Sequence, residues 1–61
     1  MSYDQLPEKL HSELCHDVFR WVTENKWKSA VVRRFVARRY RVQVTSDEIM
    51  NIVRTVRGVH L

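Results

Sequence analysis

The apolar residues of this chain fall into three stretches at helical spacing, separated by two short breaks. Between Pro7 and Glu24, Leu10, Leu14, Val18, Trp21 and Val22 recur at steps of three and four, the spacing of one helix face. Cys15 and Phe19 widen that face. Lys9, Glu13, Asp17, Arg20 and Glu24 are expected on the opposite side, with Lys9–Glu13 and Arg20–Glu24 at the spacing of ion pairs. Pro7 suits the first turn, where its missing N–H costs no bond, and Glu8 suits the positive end of the helix dipole. Residues 1–6 read as a short leader, ordered in part by Tyr3 and Leu6. Asn25 and Lys26 end the helix, with Asn25 the residue that tolerates a left-handed backbone.

A second helix is expected over 29–40, with Ser29 as its N-cap. An α-helix turns about 100° per residue. Val31, Val32, Phe35 and Val36 therefore share one side, and Arg33, Arg34, Arg38 and Arg41 the other. Arg39 falls near the apolar side, where it either lays its stem along the core edge or pairs with a carboxylate of the first helix. Residues 41–44, RVQV, break the helical period. Their alternation predicts an extended connector with Val42 and Val44 turned inward. Thr45 followed by Glu48 is a capping box, and Asp47 adds favourable charge to the first turn. It opens a third helix over 46–57, with Ile49, Ile52, Val53 and Val56 inward and Asn51, Arg54 and Thr55 outward. Gly58 is placed to stop that helix, and Val59, His60 and Leu61 to pack back beside Val42–Val44 as a short strand. The predicted fold is one all-α domain over 1–61: a three-helix, helix-turn-helix-like bundle with room for a minimal β-bridge.

Composition narrows the classes. The chain has 61 residues, 44% hydrophobic and 30% charged, with one Gly and one Pro. That is the make-up of a small folded domain, not of a disordered or all-β chain. One small core leaves no room for a buried substrate pocket, and no glycine-rich phosphate loop or catalytic carboxylate pair is present, so no enzyme and no cofactor is expected. A single cysteine excludes an internal disulfide and favours an intracellular setting, cytoplasm or nucleus. No apolar run is long enough to span a membrane.

Charge is unevenly spread. Residues 1–24 carry five acids against two bases, a balance of −3; residues 25–61 carry nine bases against two acids, a balance of +7. Such asymmetry points to a polyanion on the basic half. Lys28, Arg33, Arg34, Arg38 and Arg41 form the leading candidate set, since guanidinium groups match phosphate bidentately. Asn51, Arg54 and Arg57 on the third helix extend it, Asn and Arg being the residues that read adenine and guanine edges. Asp47 and Glu48, however, lie at the helix end that normally approaches bases, and they would repel phosphate there. The expected contact element is therefore the second helix. Trp27 is expected to cover the core at the corner between the first two helices. Left exposed, it would instead anchor an acidic protein partner together with Arg34 and Arg38. His11 and Cys15 are one turn apart, but with only His60 to join them they fall short of a four-ligand zinc site, and no metal is expected.

From His11 to Gly58 the segments VFRWV, VVRRFVARRY, RVQVT and SDEIMNIVRTV followed by RG resemble small DNA-binding three-helix or winged-helix modules. They are similar to the helix-turn-helix units at the start of some transposases and to the C-terminal domain of the DEK chromatin protein family. The resemblance covers about four-fifths of the chain. It implies DNA binding, with Arg33, Arg34, Arg38, Arg41, Asn51 and Arg54 on positions such families use. The leading expectation is a DNA-binding module, DNA rather than RNA, acting through phosphate contacts. The rival is a small interaction or inhibitor protein, of the kind viruses and phages encode, docking on an acidic partner. A homodimer burying Phe19, Val59 and Leu61 is the third expectation, as a stability device for a small core.

Overall fold

The computed structural model describes residues 3–59. A 3-10 turn at Tyr3–Gln5 precedes three helices: α1, Glu8–Thr23; α2, Ser29–Tyr40; and α3, Ser46–Val59. The architecture is an all-α three-helix bundle, with a bridge residue at Gln43 and no strand among the described residues. Leu14, Val18, Val32, Val36, Val42 and Ile49 are fully enclosed, and Trp21, Val44, Ile52, Val53 and Val56 complete the core. Val42 and Val44 are inward and Gln43 outward, as the alternation predicts.

The core seam is narrower than the hydrophobic pattern suggests. On α2 it is Val32 and Val36 with half-buried Tyr40, one residue per turn. Val31 and Phe35, expected inside, lie about 100° or more round the helix from that seam and remain 36% and 41% exposed. Leu10 is 40% exposed. The last residue of α2, Tyr40, reaches α1 at Asp17. Leu10 stands seven residues, about 10 Å of helix, further along and past the end of α2. Val22 and Phe19 are half-buried and pack against the core.

Asp17 overturns its expected placement. It lies three residues after Leu14 and four before Trp21, the spacing of the inner face, and is 7% exposed. Its carboxylate accepts the Tyr40 hydroxyl at 2.5 Å and Arg20 Nη2 at 2.9 Å, and it pairs with Arg39 Nε at 3.4 Å. Arg20 thus turns back to Asp17 instead of forward to Glu24, because the less hydrated carboxylate is the stronger acceptor. No ion pair joins Lys9 to Glu13 among the described residues. Arg39 takes the second of its two expected roles, pairing with a carboxylate of α1.

Helix ends explain the links. Asn25 N–H donates to the Arg20 carbonyl at 3.2 Å and Trp27 N–H to the Trp21 carbonyl at 3.0 Å, the latter spanning one residue more than the six-to-one bond of a Schellman stop. The Trp21 and Trp27 rings stack at 5.6 Å beside these bonds. The left-handed residue is Lys26, φ 60°, not Asn25. Pro7 precedes the helix as its N-cap, one place earlier than expected, and Lys28 does the same for α2, leaving Ser29 as the first helical residue. At the end of α2, Arg41 adopts φ 57° and reverses the chain. The five residues 41–45, about 16 Å when extended, then run back along the roughly 18 Å of α2. Ser46 Oγ consequently meets Ser29 Oγ at 3.2 Å, at the opposite end of α2 from where the connector began.

The capping box forms as expected: Thr45 N–H donates to Glu48 Oε1 at 2.9 Å, and Glu48 N–H to Thr45 Oγ1 at 3.1 Å. Gly58 does not stop α3. It has no positive φ, and the helix continues to Val59. The expected terminal strand is thus not formed at Val59, which is helical, and its other residues, His60 and Leu61, lie outside the described residues.

Two outcomes follow for stability. Removing the Thr45 cap in Thr45→Ala should cost about 1 kcal/mol, read as a lower urea midpoint at unchanged slope. Tyr40 is the second case. Burial, and then its bond to Asp17, push its phenol up to about 12 from an ordinary 10.0. The unfolded chain releases that proton first. The Tyr40 contribution is therefore intact below pH 10 and falls away as pH rises towards 12. Wild type should lose stability over that window more steeply than Tyr40→Phe, as followed by urea melts at each pH; parallel curves would contradict it.

Candidate nucleic-acid interface

Opposite the seam that buries Val32 and Val36, α2 presents a stripe of Ala30, Arg34, Ala37 and Arg38, flanked on the connector side by Arg33 and continued by Arg41 just past the helix end. All are exposed. The two alanines lie low between the arginines. Together with the returning connector they leave a shallow, open depression of about 320 Å³, lined by Ala30, Arg33, Arg34, Ala37, Gln43 and Val44. Arg33 leans over this depression and donates Nε–H to the Val44 carbonyl at 2.9 Å. One of its donors is thereby committed and its head is fixed in place. Arg34, Arg38 and Arg41 have no ion-pair partner among the described residues.

Lys28 caps this face at the start of α2. No side chain caps the helix there and its first turn holds no acid, but Ser29 meets Ser46 at 3.2 Å, so the acids in the first turn of α3 lie beside it. The start of α3 is the reverse: its first turn carries Asp47 and Glu48, and Glu48 has folded back onto the Thr45 amide.

The α3 candidates separate. Arg54 and Arg57 are exposed and without ion pairs among the described residues. Asn51 is not brought to the arginine stripe. It lines a second depression, of about 230 Å³, with Tyr3, Asp4, His11, Cys15, Ile52 and Thr55, and its carbonyl accepts the Thr55 hydroxyl at 2.8 Å. In that depression the Tyr3 and His11 rings stack at 5.3 Å, and Cys15 Sγ stands 3.8 Å from His11 Nδ1. Burial pushes the Cys15 thiol up, which favours the neutral thiol over the thiolate that a metal or an electrophile needs. Among the described residues no group of three or more His, Cys, Asp or Glu is placed to hold a metal ion.

Trp27 covers the core at the α1–α2 corner. It is half-buried, with its ring 5.6 Å from Trp21 and 4.7 Å from Phe35. The aromatic that reaches solvent is Phe35. Hydrophobic patterning assigns it to the core, and the one hint otherwise is its place directly after Arg34 on a helix whose buried seam is a single residue wide. No family model matches this chain, and neither a curated protein nor a solved structure is similar enough to stand as a relative. No described helix is long and apolar enough to cross a membrane.

The left-handed positions carry a further expectation. A side chain with a Cβ at αL costs about 1 kcal/mol relative to glycine, part of it recovered through the freer unfolded chain. Lys26→Gly and Arg41→Gly should each leave stability unchanged or raise it, by up to about 1 kcal/mol. Urea melts check this, and a clear loss at Arg41 would mean that its guanidinium holds the fold together.

Proposed function

We propose that this chain is a small nucleic-acid-binding module, for DNA in preference to RNA, that grips the phosphate backbone with the outer face of α2. The observation that carries the reading is the single-signed stripe of Arg33, Arg34, Arg38 and Arg41, exposed on a helix that contains no acid. Solvated helix faces ordinarily mix both signs. Arg54 and Arg57 supply further positive charge on α3, while Lys28 at the start of α2 is offset by Asp47 and Glu48 of the adjoining helix start. Arg41 supports the same reading: a strained backbone is filled by arginine where glycine would fit, and observed strain of this kind is a pointer to function. The resemblance to small helix-turn-helix modules agrees with it, as does an intracellular setting. An acidic protein partner is the second reading, favoured by the exposure of Phe35 beside Trp27. It predicts no preference for a polynucleotide over an acidic polypeptide.

The test is a salt titration of binding to a labelled DNA. Each phosphate neutralised releases counterions, so log K should fall steeply and linearly with log salt. Arg34→Ala and Arg38→Ala should each flatten that slope by about one unit, while Asp47→Ala leaves it unchanged. Binding that is independent of salt, or absent at low salt, overturns the reading.

A further inference from the structure

Phe35 is the feature that phosphate binding does not use. Its ring lies 4.7 Å from Trp27 and 5.9 Å from Trp21, so two larger rings hold it in a set plane. Even so, 41% of the residue faces solvent. Val31, one turn earlier and 36% exposed, extends the apolar strip. On the wheel Arg34 and Arg38 stand between this strip and the depression beside the connector. The outer surface of α2 is thus ordered across its width: aromatic platform, arginine ridge, shallow trough.

A second copy of this chain is a poor occupant for that strip. With no acid on α2, two such faces would set arginine against arginine. A duplex fits little better. A lone helix is about 10–12 Å across and just enters a major groove about 12 Å wide. Here the connector packs alongside α2, widening the front, and the start of α3 carries its own carboxylates. An unpaired strand needs no protruding helix. It needs a row of cations for its backbone and an exposed ring for its bases.

Resting on the phosphate reading above, we propose that the polynucleotide bound by α2 is single-stranded, with its phosphates on Arg34 and Arg38 and a base stacked on Phe35. Duplex DNA then binds through the arginines alone. The strand gains a stacking contribution that does not depend on salt.

The experiment measures binding of the whole chain, by fluorescence anisotropy, to labelled oligo(dT), oligo(rU) and a mixed-sequence duplex, each of about 12 nucleotides per strand, at one ionic strength. Single strands should bind more tightly than the duplex, and comparison of oligo(rU) with oligo(dU), which differs from it in the sugar alone, names the preferred sugar. Phe35→Leu keeps an apolar side chain and so spares the fold, as circular dichroism would verify. It should weaken single-strand binding about tenfold, the scale of one base–aromatic stack, and leave duplex binding unchanged; Phe35→Tyr should behave as wild type. A duplex preference, or equal loss on strand and duplex, overturns the single-strand assignment while salt-dependent duplex binding leaves the phosphate reading standing. Absence of salt-dependent binding to all three removes both. Polyglutamate that displaces oligo(dT) at matched charge overturns the assignment in favour of an acidic protein partner.

Discussion

The buried carboxylate of Asp17 sets the relation between the first two helices. A charge with so little exposure is costly unless its oxygens are bonded, and here the partners come from two elements: Arg20 on α1, and Tyr40 and Arg39 at the end of α2. Their weights differ. The Arg20 and Arg39 side chains are themselves 59% and 61% exposed, so water screens those pairs and each contributes about 1 kcal/mol at most. The Tyr40 hydroxyl is the better shielded partner, and a hydrogen bond to a charged group is worth about 1.5–3 kcal/mol. In a domain whose whole stability is only several kcal/mol, that bond is a large share. It pins the last turn of α2 to the middle of α1 and so fixes the rotation of α2 about its axis. Arg39 is turned towards α1 by the same carboxylate, with its side chain still mostly in water. What remains outside is a set of arginines with no acid on their own helix.

The connector completes the face. Because Arg41 reverses the chain, residues 42–45 return along α2 instead of passing directly into α3. Burial of Val42 and Val44 holds that return path, and the bond from Arg33 to the Val44 carbonyl ties the connector to the helix beside it. The capping box then starts α3 at the far end. One consequence is electrostatic. The acids that α3 needs for its own first turn are set at the level of Ser29, away from Arg38 and Arg41 at the other end of α2. Local helix chemistry and the single-signed surface therefore coexist in a very short chain.

Much of this was legible in the residues themselves, because it is written in local spacing. The three helices, the Thr45–Glu48 box, the inward Val42 and Val44 and the outward Arg33, Arg34, Arg38 and Arg41 all depend on neighbours within four positions. What was not legible depends on distance along the chain or on size. Asp17 reads as a solvent charge until Tyr40, 23 positions away, is found against it. Lys26 and Arg41 take left-handed turns that residue preference assigns to Asn or Gly, because the path of the chain, not the residue, decides where the turn falls. Gly58 stays helical because a glycine permits a stop without enforcing one. Val31 and Phe35 have core-like spacing, but a bundle of this size closes over one seam per helix and leaves its shoulders in water, while Leu10 lies on the α1 seam beyond the end of α2.

That limit of size bears on how the proposed binding divides between charge and stacking. The counterion contribution from the arginine ridge is an entropy of dilution, large at low salt and vanishing as the bulk concentration nears about 1 M. A base against Phe35 carries no such dependence. It buries apolar surface and π-face, whose worth is nearly constant with salt. A plot of log K against log salt therefore separates the two sides of the ridge. Arg34 and Arg38 control its slope, and Phe35 controls where the line ends when extrapolated to molar salt. A protein that used its shoulder aromatic only because its core could not cover it would show the slope alone. A protein that uses it to hold an unpaired base would retain a strand-specific remainder once the electrostatic part is gone. The aromatic trio at the α1–α2 corner supplies the rigidity that such a remainder needs, since a ring already fixed by Trp27 and Trp21 has little side-chain entropy left to lose on binding.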